Sequence, residues 1–194
     1  MNIPNNGMSS RGSEKPSVLV VIGSASPGSS NSRLMEFFCE LTTDEFEVGL
    51  FDDLGALPHF DPMRTESLPS AVEDLLSVIE SSDAVVICAP EYIFSIPARL
   101  KNLLEWCVST TIFSDKPAGL ITASADGKQG HAQMKLIMQT LGARLSEHAE
   151  LIIPGIKGKF DQSNGLTDPE VASQLSRFSV ALKGLFSGEE TEPS

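Results

Sequence analysis

From Gly23 to Ser32 the chain reads GSASPGSSNS, directly after an apolar run that ends at Ile22. Gly23 and Gly28 permit backbone conformations closed to other residues. Ser24, Ser26, Ser29, Ser30, Asn31 and Ser32 set hydroxyl and amide donors beside the unpaired N–H groups of a helix start. Such a loop can cradle an anion, a phosphate above all. The same residues equally suit a plain strand-to-helix turn in which Ser30 or Asn31 caps the helix. Neither GxGxxG nor GxxxxGK[ST] is present, which favours a mononucleotide phosphate held by hydroxyls and backbone amides over a dinucleotide or a triphosphate.

Two further loops carry polar groups after apolar runs: PEYIFS, residues 90–95, and SADGKQG, residues 124–130. Elsewhere the chemistry thins out. His59, His131 and His148 are scattered, with no carboxylate or cysteine at ligand spacing, so surface or capping roles are expected and no metal site. No serine lies in a GxSxG elbow. Cys39, Cys88 and Cys107 are widely spaced in apolar surroundings, which suits core side chains in a reducing cytoplasm rather than a disulfide framework.

These loops need elements to position them. Short β-branched runs at 17–22, 46–51, 84–89, 118–123 and 144–153 read as strands without polar alternation, covered on both faces. Between them apolar residues recur at helical spacing: Leu34, Phe37, Phe38 and Leu41; Val72, Leu75, Leu76 and Ile79; Leu100, Leu103, Leu104 and Cys107; Met134, Ile137, Met138 and Leu141; and, from about Asp168, Val171, Leu175, Phe178, Leu182 and Leu185. In the third helix Arg99, Lys101, Asn102 and Glu105 are expected to face away from the buried stripe, with Trp106 at its margin. Strand and helix alternate five times, the pattern of an α/β doubly wound parallel sheet. In such a sheet ligands bind beyond the carboxyl ends of the strands, so the loops after strands 1, 3 and 4 should converge on one pocket.

Of the 194 residues, 41% are hydrophobic, enough for one domain with a substantial core, expected over 17–187 between a polar tail at 1–16 and an acidic tail at 188–194. The net charge of −12 argues against nucleic acid and anionic membranes as partners. No stretch has the length of a transmembrane span.

With the element order in place, the motifs resemble those of the NADPH-dependent FMN reductase family. Its first loop is similar to GSxRxxSxN and its third-strand loop to PEYNxSxPxxLKNxxDW; here they stand as GSASPGSSN, residues 23–31, and PEYIFSIPARLKNLLEW, residues 90–106. The likeness spans roughly residues 18–185 in element order, and its specificity rests on the second motif. It implies a flavodoxin-like five-stranded sheet of order 2-1-3-4-5. It also implies an FMN phosphate among Ser24, Ser26, Ser29, Ser30, Asn31 and Ser32, and an isoalloxazine ring flanked by Pro90, Glu91, Tyr92, Ile93, Phe94 and Ser95 and by Ser124, Ala125, Asp126 and Gly127. The implied reaction is hydride transfer from NADPH or NADH to FMN and onward to a small-molecule acceptor: a quinone, an azo compound, a metal oxyanion or free flavin. The flavin carries that chemistry, so no acid–base residue is demanded. Glu91 is read as a loop-fixing acceptor, Tyr92 as a packing or flavin-edge residue. A homodimer or homotetramer is implied, with Phe94 and Trp106 in the interface or the core. The alternative is a non-enzymatic FMN-binding electron carrier or redox-sensing module.

Two departures matter. Ser26 stands where relatives often carry arginine, leaving a neutral cradle whose affinity is expected to depend on backbone N–H geometry. Ile93 stands where asparagine is common. Arg99, Lys101, Lys128 and Arg144 are candidates for contact with a 2′-phosphate.

Overall fold

In a computed structural model of the chain, which describes residues 15–26, 28–161 and 165–187, five strands form one parallel sheet: β1 (Ser17–Ile22), β2 (Glu47–Phe51), β3 (Ala84–Ala89), β4 (Ala118–Ser124) and β5 (Glu150–Pro154). Their order is β2-β1-β3-β4-β5, as expected. The helices are α1 (Ser30–Leu41), α2 (Ser70–Ser81), α3 (Ala98–Trp106), α4 (Lys128–Thr140) and α5 (Pro169–Ser187). Most of the expected 1–16 tail and all of 188–194 lie outside the described residues. Lys15 and Pro16 are already tied down, through Lys15 Nζ to the Thr43 carbonyl and the Glu47 N–H to the Pro16 carbonyl.

The inner strands β1, β3 and β4 are buried on both faces because their side chains alternate between two cores, whereas the edge strands β2 and β5, expected to be covered likewise, are only partly buried because each lacks a neighbour on one side. Leu19, Val21, Val85 and Ile87 pack with α2, α3 and α4; Val18, Val20, Ile22, Val86 and Cys88 pack with α1 and α5. Every residue of β3 is buried, as the central place of AVVICA requires. In the α5 layer, Gly119 leaves room for a ring: a Cβ there would lie 2.5 Å from Phe178 Cζ.

The structure moves several residues from where periodicity put them. The α1 cap is Ser29, not Ser30 or Asn31, its side chain accepting from the Ser32 N–H. The fifth strand is shorter than 144–153, because a 3-10 turn, Glu147–Ala149, precedes β5. Asn102 is buried rather than solvent-facing: its amide donates to the Pro58 carbonyl at 3.0 Å and accepts from the Phe60 N–H at 2.8 Å. Trp106 is fully buried and donates to the same Pro58 carbonyl at 2.9 Å. One helix face thus fastens the irregular 52–62 connection, which sinks Leu54 and Leu57 into the core. A polar side chain is stable there because both halves of its amide are satisfied.

Candidate functional site

At the carboxyl ends of β1, β3 and β4 the three loops meet. Close passage of the first two strands depends on Gly23, whose N–H bonds the Cys88 carbonyl at 2.8 Å and where a Cβ would lie 2.7 Å from the Ala89 Cβ. Asn31 ties the three ends together. Its Nδ2 donates to the Ala123 carbonyl at 3.1 Å, and its Oδ1 accepts from the Cys88 thiol at 3.3 Å. The predicted donor Asn31 therefore has its side chain committed inside the protein. Burial pushes the Cys88 thiol far above its ordinary range and Cys107 up to about 12, so both stay protonated.

The first loop keeps its polar character at the surface. Ser29 Oγ lies 3.0 Å from Ser32 Oγ, Ser24 Oγ accepts from the Ser26 N–H at 3.4 Å, and Gly28 adopts a positive φ of 62°. Ser30 and Asn31 open α1, so their N–H groups belong to the first turn that the helix ladder leaves without partners. Together with β2 the loop walls a cavity of about 580 Å³, lined by Ser24, Ser26, Ser32, Phe51, Asp52 and Arg99 among others; no residue of the loops after β3 and β4 lines it, so the one pocket expected of the three loops is not formed here, where the first loop opens toward β2 instead. Arg99 Nη1 reaches from α3 to the Ala25 carbonyl, 3.3 Å away, so the cradle that looked neutral in its own loop has a guanidinium beside it. A second, more apolar cavity of about 520 Å³ lies between β1, β2 and α2, walled by Leu19, Leu57, Leu75 and Val78.

The third loop is a tight two-residue turn. Tyr92 and Ser95 exchange both backbone hydrogen bonds, at 2.9 and 3.1 Å, while Ile93 and Phe94 between them lie in the left-handed region at φ 51° and 56°. Two successive positive φ angles make a type I′ turn, which asparagine and glycine favour and a β-branched isoleucine does not. The tip projects: Ile93 is 95% exposed and Phe94 75%. Their N–H groups make no hydrogen bond among the described residues.

Five hydrogen bonds hold this turn in place. Glu91 Oε2 accepts from the Gly130 N–H at 2.7 Å, in the first turn of α4. The Glu91 backbone and Ser124 Oγ are doubly bonded, at 3.1 and 3.3 Å. Gln133 Oε1 accepts from Ser95 Oγ at 2.7 Å and from the Ile96 N–H at 3.0 Å. Glu91 is thus the loop-fixing acceptor that its sequence position suggested, with the added gain of an anion at a helix N-terminus. Gln133 has no signal in the sequence: it is one polar residue on an exposed helix flank.

Beneath the fourth loop, His131 is buried rather than at the surface. Its Nδ1 lies 2.9 Å from Thr122 Oγ1 and its Nε2 3.4 Å from Glu150 Oε2, while Lys135 Nζ lies 3.0 Å from Glu150 Oε1. Burial raises the Glu150 carboxyl, but the bonds from His131 and Lys135 outweigh it and hold the group below its ordinary range. Gly127, at φ 99°, turns the chain into α4 above this network. Of the other cations considered for a 2′-phosphate, Lys101 pairs with Glu105 and Arg144 with Asp115, while Lys128 is exposed at the start of α4. Among the described residues no three His, Cys, Asp or Glu side chains gather to hold a metal, and no helix is long and apolar enough to cross a membrane.

Comparison with known proteins gives a consistent picture. Residues 16–157 match the NADPH-dependent FMN reductase family. The chain is 30% identical to a quinone reductase of Escherichia coli over 161 residues, 79% of this chain and 85% of that one. It is 28% identical to an NAD(P)H-dependent FMN reductase of Pseudomonas aeruginosa, covering 86% of this chain and 92% of the relative. Its fold superposes on the flavoenzyme NAD(P)H:(acceptor) oxidoreductase FerB of Paracoccus denitrificans with a TM-score of 0.79 and 26% identity, over 91% of this chain and all of the other.

Proposed function

The chain belongs to the NADPH-dependent FMN reductase family and is an FMN-dependent NAD(P)H oxidoreductase, and on that premise we propose that it holds FMN across the joined loops after β1, β3 and β4 and reduces a quinone, azo compound, metal oxyanion or free flavin. The single observation that carries the site is the junction itself. Asn31, Glu91 and Ser124 bond the ends of three strands into one rim, and a cavity of about 580 Å³ opens on the β2 side of its first loop.

The residues fit such a cofactor. Ser24, Ser26, Ser29, Ser30 and Ser32, with the first N–H groups of α1, suit a phosphate monoester. The N–H groups of Ile93 and Phe94 are available to the polar edge of a flat ring, with Tyr92 and the Ser124 to Gly127 loop on its flanks. FMN, when bound, takes hydride from NAD(P)H and passes the electrons to the acceptor. The protein's share is to bind, orient and shield. Glu91 serves by fixing the loop, since its carboxylate is committed to the Gly130 N–H. The exposed Tyr92, Ile93 and Phe94 suit a contact with a second copy of the chain, so a homodimer or homotetramer is part of this reading. The free thiols of Cys39, Cys88 and Cys107 suit a cytoplasmic setting.

The test is to load the purified protein with FMN, record its visible spectrum and follow oxidation of NADH and NADPH against a panel of acceptors. A flavin spectrum bleached by either nucleotide and restored by an acceptor is expected. Failure to bind FMN, or bound FMN that neither nucleotide reduces, would leave the enzyme reading without support; the latter would favour an electron carrier.

A further inference from the structure

The first loop carries no charge of its own, yet any phosphate it holds sits in a protein of net charge −12, with Asp52 and Asp53 lining the same cavity. We propose that Arg99, reaching over from α3, supplies the cation of this site and binds the phosphate monoester of FMN, a charge the first loop lacks. This rests on the FMN reading above.

Three observations converge on the side chain. Arg99 spans 74 residues of sequence to put Nη1 3.3 Å from the Ala25 carbonyl, within the first loop. It lines the cavity with Ser24, Ser26 and Ser32, and among the described residues that line it this is the one cationic group. Gly55, in the turn after β2, leaves room for it: a Cβ there would lie 3.0 Å from Arg99 Nη1 and 3.3 Å from its Cζ.

The helix that carries Arg99 gives no electrostatic reason for the position. Arg99 is the second residue of α3, where a positive charge opposes the helix macrodipole, and it makes no ion pair among the described residues. A guanidinium has five N–H donors in a rigid fork. One bond to Ala25 leaves the others for a phosphate oxygen pair. A dianion entering beside Asp52 and Asp53 is repelled by them, and the guanidinium on the same wall offsets that repulsion.

The same guanidinium could instead meet the 2′-phosphate of NADPH, and the experiment separates the two. Dissociation constants of FMN and of riboflavin, which lacks the phosphate, are measured on the apo-protein by flavin fluorescence for the wild type, Arg99→Ala, Arg99→Lys and the double variant Ser26→Arg/Arg99→Ala. Circular dichroism checks the fold. KM for NADPH and NADH is measured on the FMN-saturated proteins. Arg99→Ala is expected to weaken FMN by about tenfold or more while leaving riboflavin unmoved, with the difference shrinking in added salt. Arg99→Lys should keep part of the preference for FMN, and Ser26→Arg should restore much of it to the alanine variant. An unchanged ratio of FMN to riboflavin affinity would overturn the proposal, as would equal weakening of both flavins, the mark of a packing role. So would a rise in KM for NADPH alone with FMN affinity unmoved, which would give Arg99 to the nucleotide. A wild-type protein that binds neither flavin would instead remove the FMN reading itself.

Discussion

The loop after β1 and the loop after β3 stand side by side at one sheet edge, and they hold their shapes by opposite means. The first turns on permissive residues. Gly28 takes the positive φ, Ser29 caps the helix that follows, and most of its bonds join residues two to four apart. The third turns on Ile93 and Phe94, side chains that resist the left-handed region by about 1 to 2 kcal/mol each. It keeps that shape through contacts from Gly130, Gln133 and Ser124, all of them 33 or more residues away. A loop built of compliant residues needs little help; a loop built of resisting ones must be gripped from outside. Grip of that kind fixes a backbone closely, which is what orienting a flat ring requires.

Four substitutions break or sharpen this contrast. Gly23→Ala should be the most damaging because it strikes both loops at once, forcing β1 and β3 apart where their Cβ atoms would lie 2.7 Å from each other. A loss of about 2 to 3 kcal/mol in urea unfolding, together with loss of FMN binding, is expected. Glu91→Ala releases the third loop alone and should cost about 1.5 kcal/mol, since it strands the Gly130 N–H that a charged acceptor now holds. Ser29→Ala removes the α1 cap, and a loss of about 1 kcal/mol is expected from the first loop. Should Ser29→Ala prove the costlier of these two, the first loop would depend on more than its local bonds. The smallest effect has the opposite sign: Ile93→Asn should raise stability by about 0.5 to 1 kcal/mol, because an almost wholly exposed side chain gives up strain and little packing. A melting scan that finds the asparagine variant less stable would show that Ile93 is covered in solution, by a second copy for instance.

The contrast also marks what could be read from the sequence. Alternation of apolar runs with helical stripes points to a doubly wound parallel sheet and to the edge where its loops gather, because burial on two faces imposes those periods locally, whereas the strand order came only with the family resemblance. The serine loop and the PEY motif were legible for the same reason, since their chemistry lies in neighbouring residues. What could not be read depends on partners far along the chain. Gln133 is an ordinary helix residue until Ser95 and Ile96 arrive beside it. Asn102 looked solvent-facing because its partners, Pro58 and Phe60, lie in a connection without regular structure. The placement of Arg99 follows from the packing of α3 against the turn at Gly55. Asn31 was found as a polar donor, but its work as a tie between β3 and β4 needed the third dimension.

The bond between Glu91 and the Gly130 amide has one more use. A first-turn amide of a helix ordinarily exchanges its proton with solvent freely, having no carbonyl behind it. Here that proton is retained for as long as the third loop stays shut, so its deuterium uptake counts the openings of the rim directly. Measured with and without flavin, that single amide would give the free energy with which an occupied site closes over its contents.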